Sequence, residues 1–173
     1  MRMQAMSRLL PPSIALSAVM ASGFIMAQSV GNTVLGPADL GNLFPATVYY
    51  LGQTAPAQLR NSGGVKFADG HFVLASLVDT SGYSTGVAAK YQGYLITEVP
   101  LKIEGQMLAE GAYGFGFLDG GRFLVTDLGG HNVLSANSAA DTVMKRPRPL
   151  QVIADAAAGY RLYFGRAYVR FNR

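Results

Sequence analysis

The stretch Ile103–Phe117, IEGQMLAEGAYGFGF, decides how this chain is read. The run GAYGFG, Gly111–Gly116, has the look of a glycine-rich loop that could cradle a phosphate. A dinucleotide fingerprint, however, needs its third glycine and then a helix, so that the helix N-terminus meets the pyrophosphate. Here Asp119 stands where that glycine belongs, and a further apolar run, RFLVT, follows instead of a helical pattern. Alternation with a period of two fits better: Tyr113, Phe115 and Phe117 share one face, while Ala112, Gly114, Gly116 and Leu118 share the other. The stretch therefore reads as the turn and second strand of a β-hairpin. Glycine inside a strand marks a bend or a close approach by backbone or ligand, so Tyr113, Gly114, Phe115 and Gly116 are the candidate ligand-binding residues.

The same grammar runs outward in both directions. From Ala46 onward, short apolar, aromatic and β-branched runs alternate with turn residues every 8 to 12 positions, the pattern of an antiparallel sandwich or small barrel. In VKFADGHFVLASLV, Asp69-Gly70 tolerates the positive φ angles of a two-residue hairpin turn. In FGFLDGGRFLVT, a Gly120-Gly121 turn would set Asp119 opposite Arg122. The C-terminal GYRLYFGRAYVRFNR has two readings. A hairpin at Gly165-Arg166 puts Arg161 opposite Arg170, a like-charge pair that is disfavoured, whereas one long strand kinked at Gly165 avoids it. Helix is scarce: about two turns over Ser84–Tyr91 and one over Ser138–Met144, capped by Ser138. The fold class expected is all-β and antiparallel, without the crossover helices of a parallel sheet.

At the N-terminus, Arg2 and Arg8 precede an apolar run from about Ile14 to Met26, followed by small residues, the layout of a secretory signal peptide cleaved after Ala27 or, as the alternative, after Gly23. A retained membrane anchor is the alternative, although the run is shorter than the ~20 residues a bilayer span needs. Three segments follow: a signal peptide over 1–27, an extended linker or edge segment over 28–45, and one β domain over 46–173. The expected location is periplasmic or secreted. Taking Arg2 and Arg8 away with the leader leaves 12 basic residues against 10 acidic ones, so the mature chain is only slightly basic. That balance is no argument for nucleic acid. The chain has no cysteine, which excludes disulfides, a lipid-modified cysteine and thiol-based cofactor chemistry; no cofactor is expected.

Gly82-Tyr83-Ser84-Thr85-Gly86 obeys G-x-S-x-G, the nucleophile elbow of serine hydrolases, and Asp127 and His131 follow in the chain order of the α/β-hydrolase triad. That fold needs a mainly parallel sheet flanked by helices, which this chain lacks, so a small serine hydrolase stands as an alternative rather than the main reading. His71 with Asp69, and His131 with Asp127, lack the spacing of a zinc site and read as polar residues at hairpin ends. Lys145-Arg146-Pro147-Arg148-Pro149 is a basic, extended loop able to meet an anionic partner such as a cell-envelope polymer. Tyr160, Arg161, Tyr163, Arg166, Tyr168 and Arg170 interleave like a stacking platform, suited to carbohydrate, a small aromatic ligand or ordinary cross-strand packing.

The segment Leu101–Phe115, LKIEGQMLAEGAYGF, resembles a hairpin of uncharacterised exported bacterial β-proteins, with L-x-x-G-x-Y-G at Leu108, Gly111, Tyr113 and Gly114. NSGGVKFADG and LVDTSGYS are similar to the same group. The resemblance implies a β fold and an exported compartment, and brings no activity with it. The expectation is an exported, non-enzymatic β domain that binds a small ligand, a glycan or an envelope partner, with membrane contact only during export. An eight-stranded outer-membrane barrel is a further alternative, allowed by length.

Overall fold

The structure is a computed structural model, and it describes residues 31–157 and 159–173. The leader read over residues 1–27 lies outside the described residues. Among the described residues, fourteen strands and two single-turn helices follow in order: β1 (Thr33–Leu35), α1 (Pro37–Leu40), β2 (Thr47–Tyr50), β3 (Gln53–Lys66), β4 (Phe72–Val78), α2 (Thr85–Ala88), β5 (Gly93–Thr97), β6 (Leu101–Ile103), β7 (Gln106–Leu108), β8 (Gly111–Leu118), β9 (Arg122–Thr126), β10 (Asn132–Asn137), β11 (Ala139–Ala140), β12 (Leu150–Asp155), β13 (Gly159–Phe164) and β14 (Ala167–Asn172).

All pairings are antiparallel and form two sheets. The first runs β1-β3-β4-β5-β8-β9-β10, with β2 on the free part of β3; the second runs β12-β13-β14-β6-β7, with β11 on β14. Both sheets stay open, so the molecule is a β-sandwich. The described strands do not form the single closed sheet that an outer-membrane barrel requires.

The stretch read as one hairpin turns out to belong to both sheets. Glu104-Gly105 closes a two-residue turn between β6 and β7, with φ of 44° and 85° respectively. The chain then crosses at Ala109-Glu110, and β8 enters the first sheet between β5 and β9. Phe115 and Phe117 do face the interior, and Tyr113 packs against the same core. Phe117 stacks on Phe164 of the second sheet at 5.7 Å, and Phe67 meets Tyr160 edge-on at 6.2 Å. Alternation places these rings inward because the pleat sends every second side chain to the same face.

The first sheet is buried on its other face as well. Leu40, Phe44, Val48, Tyr50 and Tyr91 form a second apolar cluster against Leu74, Val78 and Tyr94. Residues 33–44, read as part of a linker or edge segment, thus supply an edge strand, a helical turn and buried core side chains. Burial on both faces explains why β4, FVLASLV, is a continuous apolar run without alternation.

Three turns differ from expectation. The β3–β4 connection is a turn over Phe67–Gly70, with Ala68-Asp69 at its centre and Gly70 at φ 92°, because the Phe67 N–H pairs with the His71 carbonyl. Leu118 rather than Asp119 pairs with Arg122, leaving Asp119-Gly120-Gly121 as a three-residue loop. The turn after β11 is held by Asp141, whose Oδ1 accepts from the Val143 and Met144 N–H groups, not by Ser138.

Candidate functional site

The glycine face of β8 is occupied by the protein itself. A Cβ on Gly114 would lie 2.7 Å from the Tyr50 ring, 2.8 Å from the Tyr91 ring and 2.9 Å from Thr126 Oγ1. One on Gly116 would collide with the Lys90 carbonyl oxygen, and the ring of Phe115 lies over Gly93. Close approach is therefore the reason for these glycines, and the partner is the segment around Tyr91. Tyr50 and Tyr91 stack at 3.8 Å, Tyr50 shares a 2.8 Å hydrogen bond with Thr126, and the Tyr83 hydroxyl donates to the Tyr50 carbonyl. Burial pushes the Tyr91 phenol well above its ordinary range, so it remains neutral.

Between the sheets the space is filled. An enclosed apolar void of about 10 Å³ lies among Gly63, Gly64, Val73, Val152, Leu162 and Val169, barely the size of one water. It offers no polar group to hold a ligand.

Asp127 and His131 do come together. The Asp127 carboxylate accepts from the Gly129 and His131 N–H groups at 2.9 Å each and contacts His131 Nδ1 at 3.0 Å. These bonds to His131 hold the carboxyl below its ordinary range. The histidine side chain is 82% exposed. Ser84 is the exposed residue just before α2, and among the described residues no hydrogen bond joins it to His131. Asp69 lies 3.2 Å from His71 and also pairs with Arg173. No group of three potential metal ligands occurs among the described residues.

The tyrosines and arginines of β13 and β14 divide between the two faces. Tyr160 turns inward, while Arg161, Tyr163, Tyr168 and Arg170 line the outer face of the second sheet. Arg161 and Arg170 are directly opposite. Asp155 Oδ2 accepts from Arg161 Nε at 2.6 Å and from Arg170 Nε at 3.3 Å, and both guanidinium groups lie over the Tyr168 ring, at 4.7 and 5.2 Å. The hydrogen bond from Arg161, above all, holds the Asp155 carboxyl below its ordinary range.

From this cluster a chain of hydrogen bonds runs into the basic loop. Arg161 donates to the Tyr163 hydroxyl at 3.3 Å, and Tyr163 donates to Asp141 Oδ2 at 3.0 Å. Asp141 in turn caps Val143 and Met144, whose carbonyl receives Arg166. The Gly165 N–H reaches the carbonyls of Arg148 and Pro149 at 3.1 and 3.2 Å. This lays the 145–149 loop along the β13–β14 turn and brings Lys145, Arg146, Arg148 and Arg166, all exposed, to one end of the second sheet. Among the described residues none of the four forms an ion pair. The loop was legible as a basic run, but Arg166 joins it only through the hairpin, and Asp141 and Asp155 gave no local signal.

No family model, curated protein or solved structure matches this chain. Fold and surface define it as a β-sandwich with a filled interior and one basic end.

Proposed function

We propose that this protein is an exported, non-enzymatic β-sandwich that binds an anionic component of the cell envelope on its surface, at the end formed by Lys145, Arg146, Arg148 and Arg166. One observation carries the reading. Of the 12 basic residues from position 31 onward, four that form no ion pair among the described residues gather at this end beside a single carboxylate, Asp141, while the other eight are set against nine acidic residues. A local excess of positive charge on a near-neutral body attracts polyanions at this end in preference to the rest of the surface. Export is supported by the leader-like order of charge, apolar run and small residues over 1–27.

The test is retention on an immobilised soluble polyanion such as polyphosphate. The protein should bind at low salt and elute as salt screens the contact. A variant carrying Lys145→Ser, Arg146→Ser and Arg148→Ser should elute markedly earlier with unchanged thermal stability. Equal elution of the two proteins would overturn the assignment, and fractionation of cells checks the compartment.

A further inference from the structure

We infer that the anionic component met by this end is the surface of a lipid bilayer, and that the 141–149 loop is a peripheral membrane anchor with Val143 at its tip. The inference rests on the basic end being the binding surface. A polyanion alone would account for the cations but not for Val143. That side chain is 84% exposed, more than any other large apolar side chain among the described residues, and it lies two positions before Lys145. In water the exposed valine is idle, and against a soluble acidic polymer it still finds nothing apolar. A bilayer offers both phases at once, with anionic headgroups for the four cations and, a few ångströms deeper, an apolar boundary for the valine.

The loop is built to hold that arrangement. Asp141 Oδ1 takes the N–H groups of Val143 and Met144, so two donors at the tip are already satisfied before any contact with lipid. Pro147 and Pro149 have no N–H at all. Met144 points the other way, its sulfur accepting from Gln151 Nε2 at 3.5 Å, and Arg166 holds its carbonyl. Val143 is thereby left as the exposed apolar group of the loop that carries Lys145, Arg146 and Arg148. One small apolar group and four cations make two weak signals, a combination that gives reversible binding rather than insertion.

Vesicle co-sedimentation of the exported form decides the matter. The protein should bind vesicles of phosphatidylglycerol mixed with phosphatidylcholine, and not phosphatidylcholine alone. Replacing one of the cations by serine should weaken binding roughly five-fold. Val143→Ser should weaken vesicle binding roughly three- to ten-fold while leaving elution from polyphosphate unchanged; Val143→Trp should strengthen it and shift the indole emission to the blue on binding. Polyphosphate retention without binding to anionic vesicles would overturn the anchor and leave the anionic-partner reading standing. Failure of both would overturn both. Vesicle binding indifferent to Val143→Ser would overturn the valine's role, and circular dichroism of each variant confirms that the comparison is between folded proteins.

Discussion

Arg161 and Arg170 face each other across β13 and β14, and the carboxylate of Asp155 bonds to both. The like-charge repulsion that made this hairpin doubtful from sequence is answered by a carboxylate from the neighbouring strand. Asp155 pairs with Gly159, which puts it diagonally across from Arg161, within reach of a long side chain. Asp155→Asn should therefore lower the melting temperature, and adding Arg161→Gln should recover part of the loss. A double-mutant cycle by thermal denaturation checks the coupling.

Stability should fall on the acid side. The hydrogen bond from Arg173 holds the Asp69 carboxyl at about 2, against an ordinary value of 3.8. A depressed folded-state value means that the contribution is complete above about pH 4 and is lost as pH falls through 3.8 toward 2. Asp155, also depressed, adds loss in the same direction. Arg173→Ala should be less stable than the native protein at pH 6, and the two unfolding curves should converge near pH 2.

Core substitutions separate filled from open positions. Phe115 is fully buried between the sheets, and Phe115→Ala should cost about 3–5 kcal/mol. Gly116→Ala drives a methyl into the Lys90 carbonyl and should cost about 1–3 kcal/mol. Gly86→Ala, whose added methyl meets nothing within 4 Å, should be neutral or slightly stabilising in its helical turn. Urea unfolding of the three variants gives the order.

Tyr163→Phe removes the donor to Asp141 and should loosen the basic loop. Trypsin reads this out: Arg146 and Arg148 precede prolines and resist cleavage, which leaves the Lys145-Arg146 bond. Cleavage there should speed up roughly five-fold, as expected for one lost hydrogen bond of about 1 kcal/mol. Unchanged cleavage would show that the loop is ordered by other contacts.

A fluorophosphonate probe of reactive serines should leave the protein unlabelled, since Ser84 has no hydrogen bond to His131 in the structure. Labelling abolished by Ser84→Ala would revive the hydrolase alternative.

Much of the strand content was legible. The alternation Tyr113-Phe115-Phe117 sorted an inner face from a glycine face, and turn residues marked most connections. Local periodicity carries that information because the pleat repeats every two residues whatever the strand pairs with. It is silent on the partner. Ile103–Phe117 looked like a single hairpin because its glycines read as one turn followed by one strand; only the pairing of β6 with β14, 68 and 70 residues on, shows that the chain changes sheet at Ala109-Glu110. The same limit hid the surface. Composition and spacing by themselves determined a thiol-free antiparallel β protein with a leader-like start and a basic loop. The tertiary structure alone decided that Asp155 reconciles Arg161 with Arg170 and that Arg166 joins Lys145, Arg146 and Arg148, because each depends on how β12, β13 and β14 pair and on which face the pairing puts each side chain.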